Sequence, residues 1–210
     1  MDVNQPFGGV IPGARGAVLA ALLRTGEQLT GRQVHGVVGG HSLGAVQDAL
    51  KAWERLGVVE SRAVGRAYVY RVEEDHVAVA PLRMLLDPIA TLSEVVRESV
   101  DDVDSVVLCA PSAQSGSGAA SGAEPDAGDL HLAVIARETW DQEDDLREEV
   151  RVRMGNECDV SVYTPASFAD AVAADDPAAV DIVQDGVALV GSKPCRRRRG
   201  QLRPGAFYAR

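Results

Sequence analysis

Between Thr30 and Arg71 the pattern of apolar and polar positions predicts two short helices followed by a β-hairpin. Thr30 is a good N-cap residue for a helix through Gly31, Arg32, Gln33, Val34, His35, Gly36 and Val37, and Gly39-Gly40 then breaks it. Ser42 caps the second helix. Its apolar residues Leu43, Val46, Leu50, Trp53 and Leu56 recur three and four apart, which predicts one buried stripe, and Gly57 stands where a C-terminal glycine is expected. Val58, Val59 and Glu60 form the first strand of the hairpin and Ala67 to Arg71 the second. The tip between them carries Arg62, Gly65 and Arg66.

Ahead of this stretch, residues 1 to 12 show no period and read as a loose arm, whereas Gly13 to Thr25 reads as a helix with Val18, Leu19, Leu22 and Leu23 facing a core. After the hairpin a short helix ends before Pro88, and a longer one runs from Ile89 to about Val100 with Ile89, Leu92, Val95, Val96 and Val100 at helical spacing. This second helix either joins two subunits or packs within its own chain.

From about Asp104 helices and strands alternate. Ser105 to Ala110 reads as a buried strand, Pro111 to Gly128 as a loop rich in serine, glycine and alanine, and Asp129 to Ala136 as a second strand. A charged helix covers Thr139 to Met154, a third strand Cys158 to Tyr163, and a helix capped near Ser167 follows. Pro177 to Gln184 is a further helix and Val187 to Val190 a last strand. The fold class expected is therefore α+β: a first domain over 1–75, linking or dimerising helices over 76–103, a small α/β domain over 104–191, and a tail over 192–210.

Charge changes the picture most in the second half. The net charge of −10 conceals eight basic and eight acidic residues in 1–75, two against three in 76–100, four against twenty in 101–190, and seven against none in 191–210. A strongly acidic middle is no surface for nucleic acid, so any such surface belongs to the first domain or the tail. In the tail, Arg196, Arg197, Arg198 and Arg199 read as a phosphate-binding arm or as a segment folding back on the acidic domain. No window is apolar enough for a membrane span, and residues 1–13 lack a basic region followed by an apolar one, so a cytoplasmic protein is expected. Cys109, Cys158 and Cys195 are too few and scattered for a disulfide framework or zinc site, and the first two read as buried free thiols. His35 reads as exposed and His76 as part of a linker.

A helix pair followed by a basic hairpin is the layout of a winged helix-turn-helix, in which the second helix enters the major groove. Its outward side here offers Ser42, Gly44, Ala45, Gln47, Asp48 and Lys51. Gln47 suits adenine, Ala45 a thymine methyl, and Lys51 a guanine or a phosphate, while Asp48 repels phosphate. Arg32, His41, Arg62 and Arg66 are the remaining candidate contacts of this domain. From Leu29 through SLGAVQDALKAWERLGVVESRAVGRAYVYRV the chain resembles the bacterial ArsR-like winged-helix regulators over about its first third. Metal-sensing members carry cysteines on or beside the recognition helix, and no cysteine precedes Cys109 here. The alternative use of such a domain is dimerisation or protein binding.

The second domain resembles, in its order of elements, the minimal nucleotidyltransferase domain of the DNA polymerase β superfamily. Active members end the first strand with Gly-Ser and hold two divalent ions with an aspartate pair on the second strand and a third aspartate on the next. Those positions fall here at Ala110-Pro111, at Asp129 and His131, and at Asp159. Proline offers no N–H to a phosphate, alanine blocks the close approach glycine allows, and histidine supplies nitrogen where Mg²⁺ prefers oxygen. The expectation is a degenerate site with no cofactor. Asp129, His131 and Asp159 read either as a transition-metal site or as solvent-facing remnants, the latter preferred.

The leading expectation is thus a dimeric transcription regulator of double-stranded DNA. Its acidic domain would serve regulation or interaction with a ligand or protein partner. The alternative is an active metal-dependent nucleotidyltransferase targeted by a winged helix.

Overall fold

The computed structural model describes residues 1–109 and 129–194. The expectations placed on Ala110, Pro111 and the loop to Gly128, on Cys195, and on Arg196, Arg197, Arg198 and Arg199 fall outside the described residues. The fold is α+β with two separate sheets. The chain divides into a unit Met1–Thr91 and a second unit from Leu92 onward. No helix among the described residues is long and apolar enough to cross a membrane.

In the first unit, helix α1 (Gly13–Thr25) is followed by a short strand β1 (Leu29–Thr30), helix α2 (Gly31–Val38) and helix α3 (Leu43–Arg55). Strands β2 (Val59–Val64) and β3 (Ala67–Val72) form the hairpin, and helix α4 (Val79–Leu85) follows. The antiparallel sheet has the order β1-β3-β2. Local chemistry sets the helix ends. Thr30 and Gln33 form a reciprocal capping box at the start of α2, and the Ser42 hydroxyl accepts from the Ala45 N–H at the start of α3. Val18, Leu19, Leu22 and Leu23 of α1, Val34 of α2, Val46, Ala49, Leu50 and Trp53 of α3, and Val58, Val59 and Val72 of the hairpin region share one core.

Three expectations for this unit are corrected. Residues 1–12 are not a loose arm. Pro6–Gly9 make a 3₁₀ turn, the Asp2 N–H donates to the Gly8 carbonyl at 3.0 Å, and Phe7 is fully buried in the core. A single turn is too short to show a period, which hides Phe7 from a pattern reading. The arm lies so close to α1 that a Cβ on Gly16 would stand 1.9 Å from the Ile11 carbonyl oxygen. Next, Leu43 and Leu56 leave the buried stripe, at 38% and 62% exposed, because they sit at the two ends of α3. Ala49 and Ala52 complete the stripe instead. His35, lastly, is half-buried rather than exposed, with its Nε2 donating to the His41 carbonyl at 3.0 Å across the turn between α2 and α3. His76 lies in the segment linking β3 to α4, where it accepts the Ala78 N–H on Nδ1 at 3.2 Å.

Helix α5 (Pro88–Ser99) spans the division between the units. Of the stripe expected on it, Leu92, Val95 and Val96 are 0–2% exposed in the single chain and Val100, just past its end, is 7% exposed, whereas Ile89 is half-buried. The second unit then runs β4 (Val103–Cys109), β5 (Leu130–Ala136), α6 (Glu143–Met154), β6 (Cys158–Tyr163), α7 (Pro165–Ala173), α8 (Pro177–Gln184) and β7 (Val187–Gly191). The sheet order is β6-β5-β4-β7, with β5 and β6 parallel and the other pairs antiparallel. The two central strands are buried almost throughout, as their continuous apolar runs require. Val107, Ala133 and Ile135 point to the face where Phe168, Val172, Ala179 and Ile182 of α7 and α8 pack. Helix α7 is capped by Thr164, with Ser167 as its reciprocal partner rather than the cap itself.

Candidate nucleic-acid interface

The outward side of α3 is formed by what its core stripe leaves over. Gly44, Gln47, Asp48 and Lys51 are exposed, as is Ser42, while Ala45 is half-buried. The Ser42 oxygen is engaged by the Ala45 N–H at 3.2 Å, leaving its hydroxyl proton to donate elsewhere. Arg32 is exposed on α2. His41 is half-buried in the turn, where its carbonyl receives the His35 bond.

The hairpin differs from expectation in one respect that matters for chemistry. The turn contains only Gly65 and Arg66, because Val64 already pairs with Ala67. Gly65 takes φ 61°, the left-handed value that a glycine tolerates at the first position of a tight hairpin turn. Arg66 is therefore at the tip, but Arg62 is in strand β2 opposite Val69. Alternation assigns faces. Val59, Ser61 and Ala63 with Val72, Tyr70 and Tyr68 share the side that meets α3, where the Ser61 hydroxyl donates to the Glu54 carboxylate. Arg62 belongs to the opposite side, beside the Glu60–Arg71 ion pair. Tyr68, 60% exposed on the α3-facing side, is a candidate contact that the sequence reading missed. The alternation itself was the available signal.

Electrostatics separates structural from available cations. In the first unit Arg71 pairs with Glu60 and Arg83 with Glu74. Arg32, Lys51, Arg62 and Arg66 are exposed and make no ion pair among the described residues, as do Arg15 and Arg55. Arg15, Lys51 and Arg55 converge on a groove of about 690 Å³ along α3 that Ala45, Asp48, Ala49 and Glu54 also line.

The second unit brings two of its three expected site residues together. His131 and Asp159 are register partners on β5 and β6, with Nδ1 and Oδ2 3.6 Å apart. Asp129 is exposed, one residue before β5 begins. Cys109 is the register partner of His131 on its other side, and with His131, Asp159, Ser161, Tyr163 and Asp181 it borders a cavity of about 40 Å³. The cysteine lies where the first strand ends, a neighbourhood that only strand pairing reveals. Burial pushes its thiol up to about 11, so it is no ready nucleophile. These residues do not fit a pair of divalent ions. His131 offers an imidazole nitrogen where a hard divalent ion prefers oxygen, and no group of three histidine, cysteine, aspartate or glutamate side chains among the described residues is arranged to hold a metal.

Comparison of the chain with known protein families, with characterised proteins and with solved structures gave no match.

Proposed function

We propose that this chain is a sequence-specific DNA-binding transcription regulator, with its first unit a winged helix-turn-helix domain and α3 its recognition helix. The observation that carries this reading is the exposed polar side of α3, flanked by the Arg66 hairpin tip and by cations that the fold leaves without ion pairs. In the major groove Gln47 can take adenine bidentately, Ala45 a thymine methyl, and Lys51 guanine or phosphate. Arg32 and Arg66 suit phosphates. The side chain of Arg62 leaves the hairpin on the face away from α3, which suits the backbone of a strand outside the groove that α3 occupies. The second unit serves as a nucleotidyltransferase-like regulatory or interaction module, and nucleotidyl transfer is not part of the proposal because the donor set is wrong for paired divalent ions.

Selection of bound sequences from a random duplex pool tests this, using full-length protein and a version ending at Gly191. The expected result is one motif recovered by both, with lower affinity at low salt for the shorter form because seven cations are removed. A near-palindrome with half-sites about 34 Å apart would identify the binding species as a dimer. Enrichment of no motif by either form would sink the reading.

A further inference from the structure

We infer that the groove between the first turn of α1 and α3 seats the phosphates of one DNA strand, with Arg15 and Arg55 as its anchors. This rests on the DNA-binding reading and adds a second flank to it. The hairpin meets α3 along the edge that carries Glu54, through the Ser61–Glu54 hydrogen bond. Arg55, one residue on, lies about 100° further round the helix, on the outward edge opposite the buried stripe rather than on the edge that meets the hairpin. Asp48, two turns earlier, shares that edge.

Arg15 arrives there from α1, and its place is fixed, because the indole N–H of Trp53 donates to the Arg15 carbonyl at 3.0 Å. Trp53 is itself a core residue of α3, so the first turn of α1 is pinned against the recognition helix. Arg55 is held as well, its Nε donating to the Lys51 carbonyl at 3.3 Å. Arg15, Lys51 and Arg55 thus line one groove of about 690 Å³ without an ion pair among the described residues. The two carboxylates there, Asp48 and Glu54, oppose an anion, Glu54 while accepting from the Ser61 hydroxyl, and the three cations outnumber them. A helix lying in the major groove has a phosphate strand on each side, and the hairpin serves only one of them. The α1–α3 groove serves the other.

The test measures binding of full-length protein to a labelled duplex over a range of NaCl concentrations, for the selected sequence and for a scrambled one. Arg15→Gln and Arg55→Gln are each expected to reduce the slope of log affinity against log salt by about one, to weaken both duplexes alike, and to leave base preference unchanged. Arg15→Lys and Arg55→Lys should retain the slope, and Asp48→Asn should raise affinity on both duplexes. Circular dichroism and the fluorescence of Trp53 and Trp140 together check that each variant is folded. A wild-type slope in folded Arg15→Gln and Arg55→Gln, alongside altered base preference in Gln47→Ala, overturns the groove assignment and leaves the DNA reading standing. Absence of duplex binding by the wild type removes both.

Discussion

Phe7 illustrates how much a single side chain can settle. It holds φ 59°, a left-handed conformation that costs a non-glycine residue on the order of 1 kcal/mol, and it is nevertheless completely buried. The burial outweighs the strain, and Phe7→Ala is expected to lower stability by about 3–5 kcal/mol in urea unfolding, with the first unit losing its packed N-terminal turn. Titratable residues make a second prediction. Burial pushes the Cys109 thiol up to about 11 and that of Cys158 to about 12, against an ordinary value of 9.0. The folded chain therefore keeps protons that the unfolded chain releases. The stability this provides is fully present below pH 9 and is lost as pH rises through 11 to 12. Burial also raises Tyr163 and Tyr70, with the same sign. Urea midpoints measured at rising alkaline pH should fall over that window, and a flat profile would contradict the placement of these groups. Gln47, by contrast, is exposed, and under the proposed DNA-binding function Gln47→Ala should change the recovered motif while leaving stability nearly untouched.

At the scale of elements, the ends of helices were legible because capping is written in adjacent residues. Thr30 with Gln33 and Ser42 with Ala45 need no knowledge of the rest of the chain, and α1, β6 and α8 begin and end where their periods and caps predict. Thr30→Ala removes the hydroxyl that accepts the Gln33 N–H and donates to the Gln33 side chain, leaving only the backbone half of the box, and should cost about 1 kcal/mol by denaturant unfolding. Features that depend on pairing were not legible. Arg62 was placed at the hairpin tip because the sequence does not state that the turn has two residues; only the register of Val64 with Ala67 does. The same holds for Cys109, His131 and Asp159, which lie in one row across three strands although long segments separate them. Leu43 and Leu56 keep the helical period, but the core does not extend as far as the period does. Function is less legible still, since Gln47, Lys51 and Arg66 suit a base or phosphate by chemistry alone.

For the molecule as a whole, charge is partitioned. The first unit carries as many acidic as basic residues, so the affinity for DNA that we propose for it would depend on which cations are left unpaired rather than on net charge. Arg66→Ala should therefore weaken binding to all duplexes alike, by an amount that shrinks as salt rises, as titrations at two ionic strengths would reveal. The order β6-β5-β4-β7 places β6 and β7 at the borders of the second sheet, where each lacks a neighbour on one side among the described residues. Unpaired backbone donors and acceptors of this kind invite strands of other molecules and begin aggregation. One border is only five residues long, and the other carries Asp159. A carboxylate on a border strand repels its own kind when two copies approach edge to edge. Asp159→Val should leave the fold intact and raise light scattering on concentration, and unchanged scattering would remove this protective role from the aspartate.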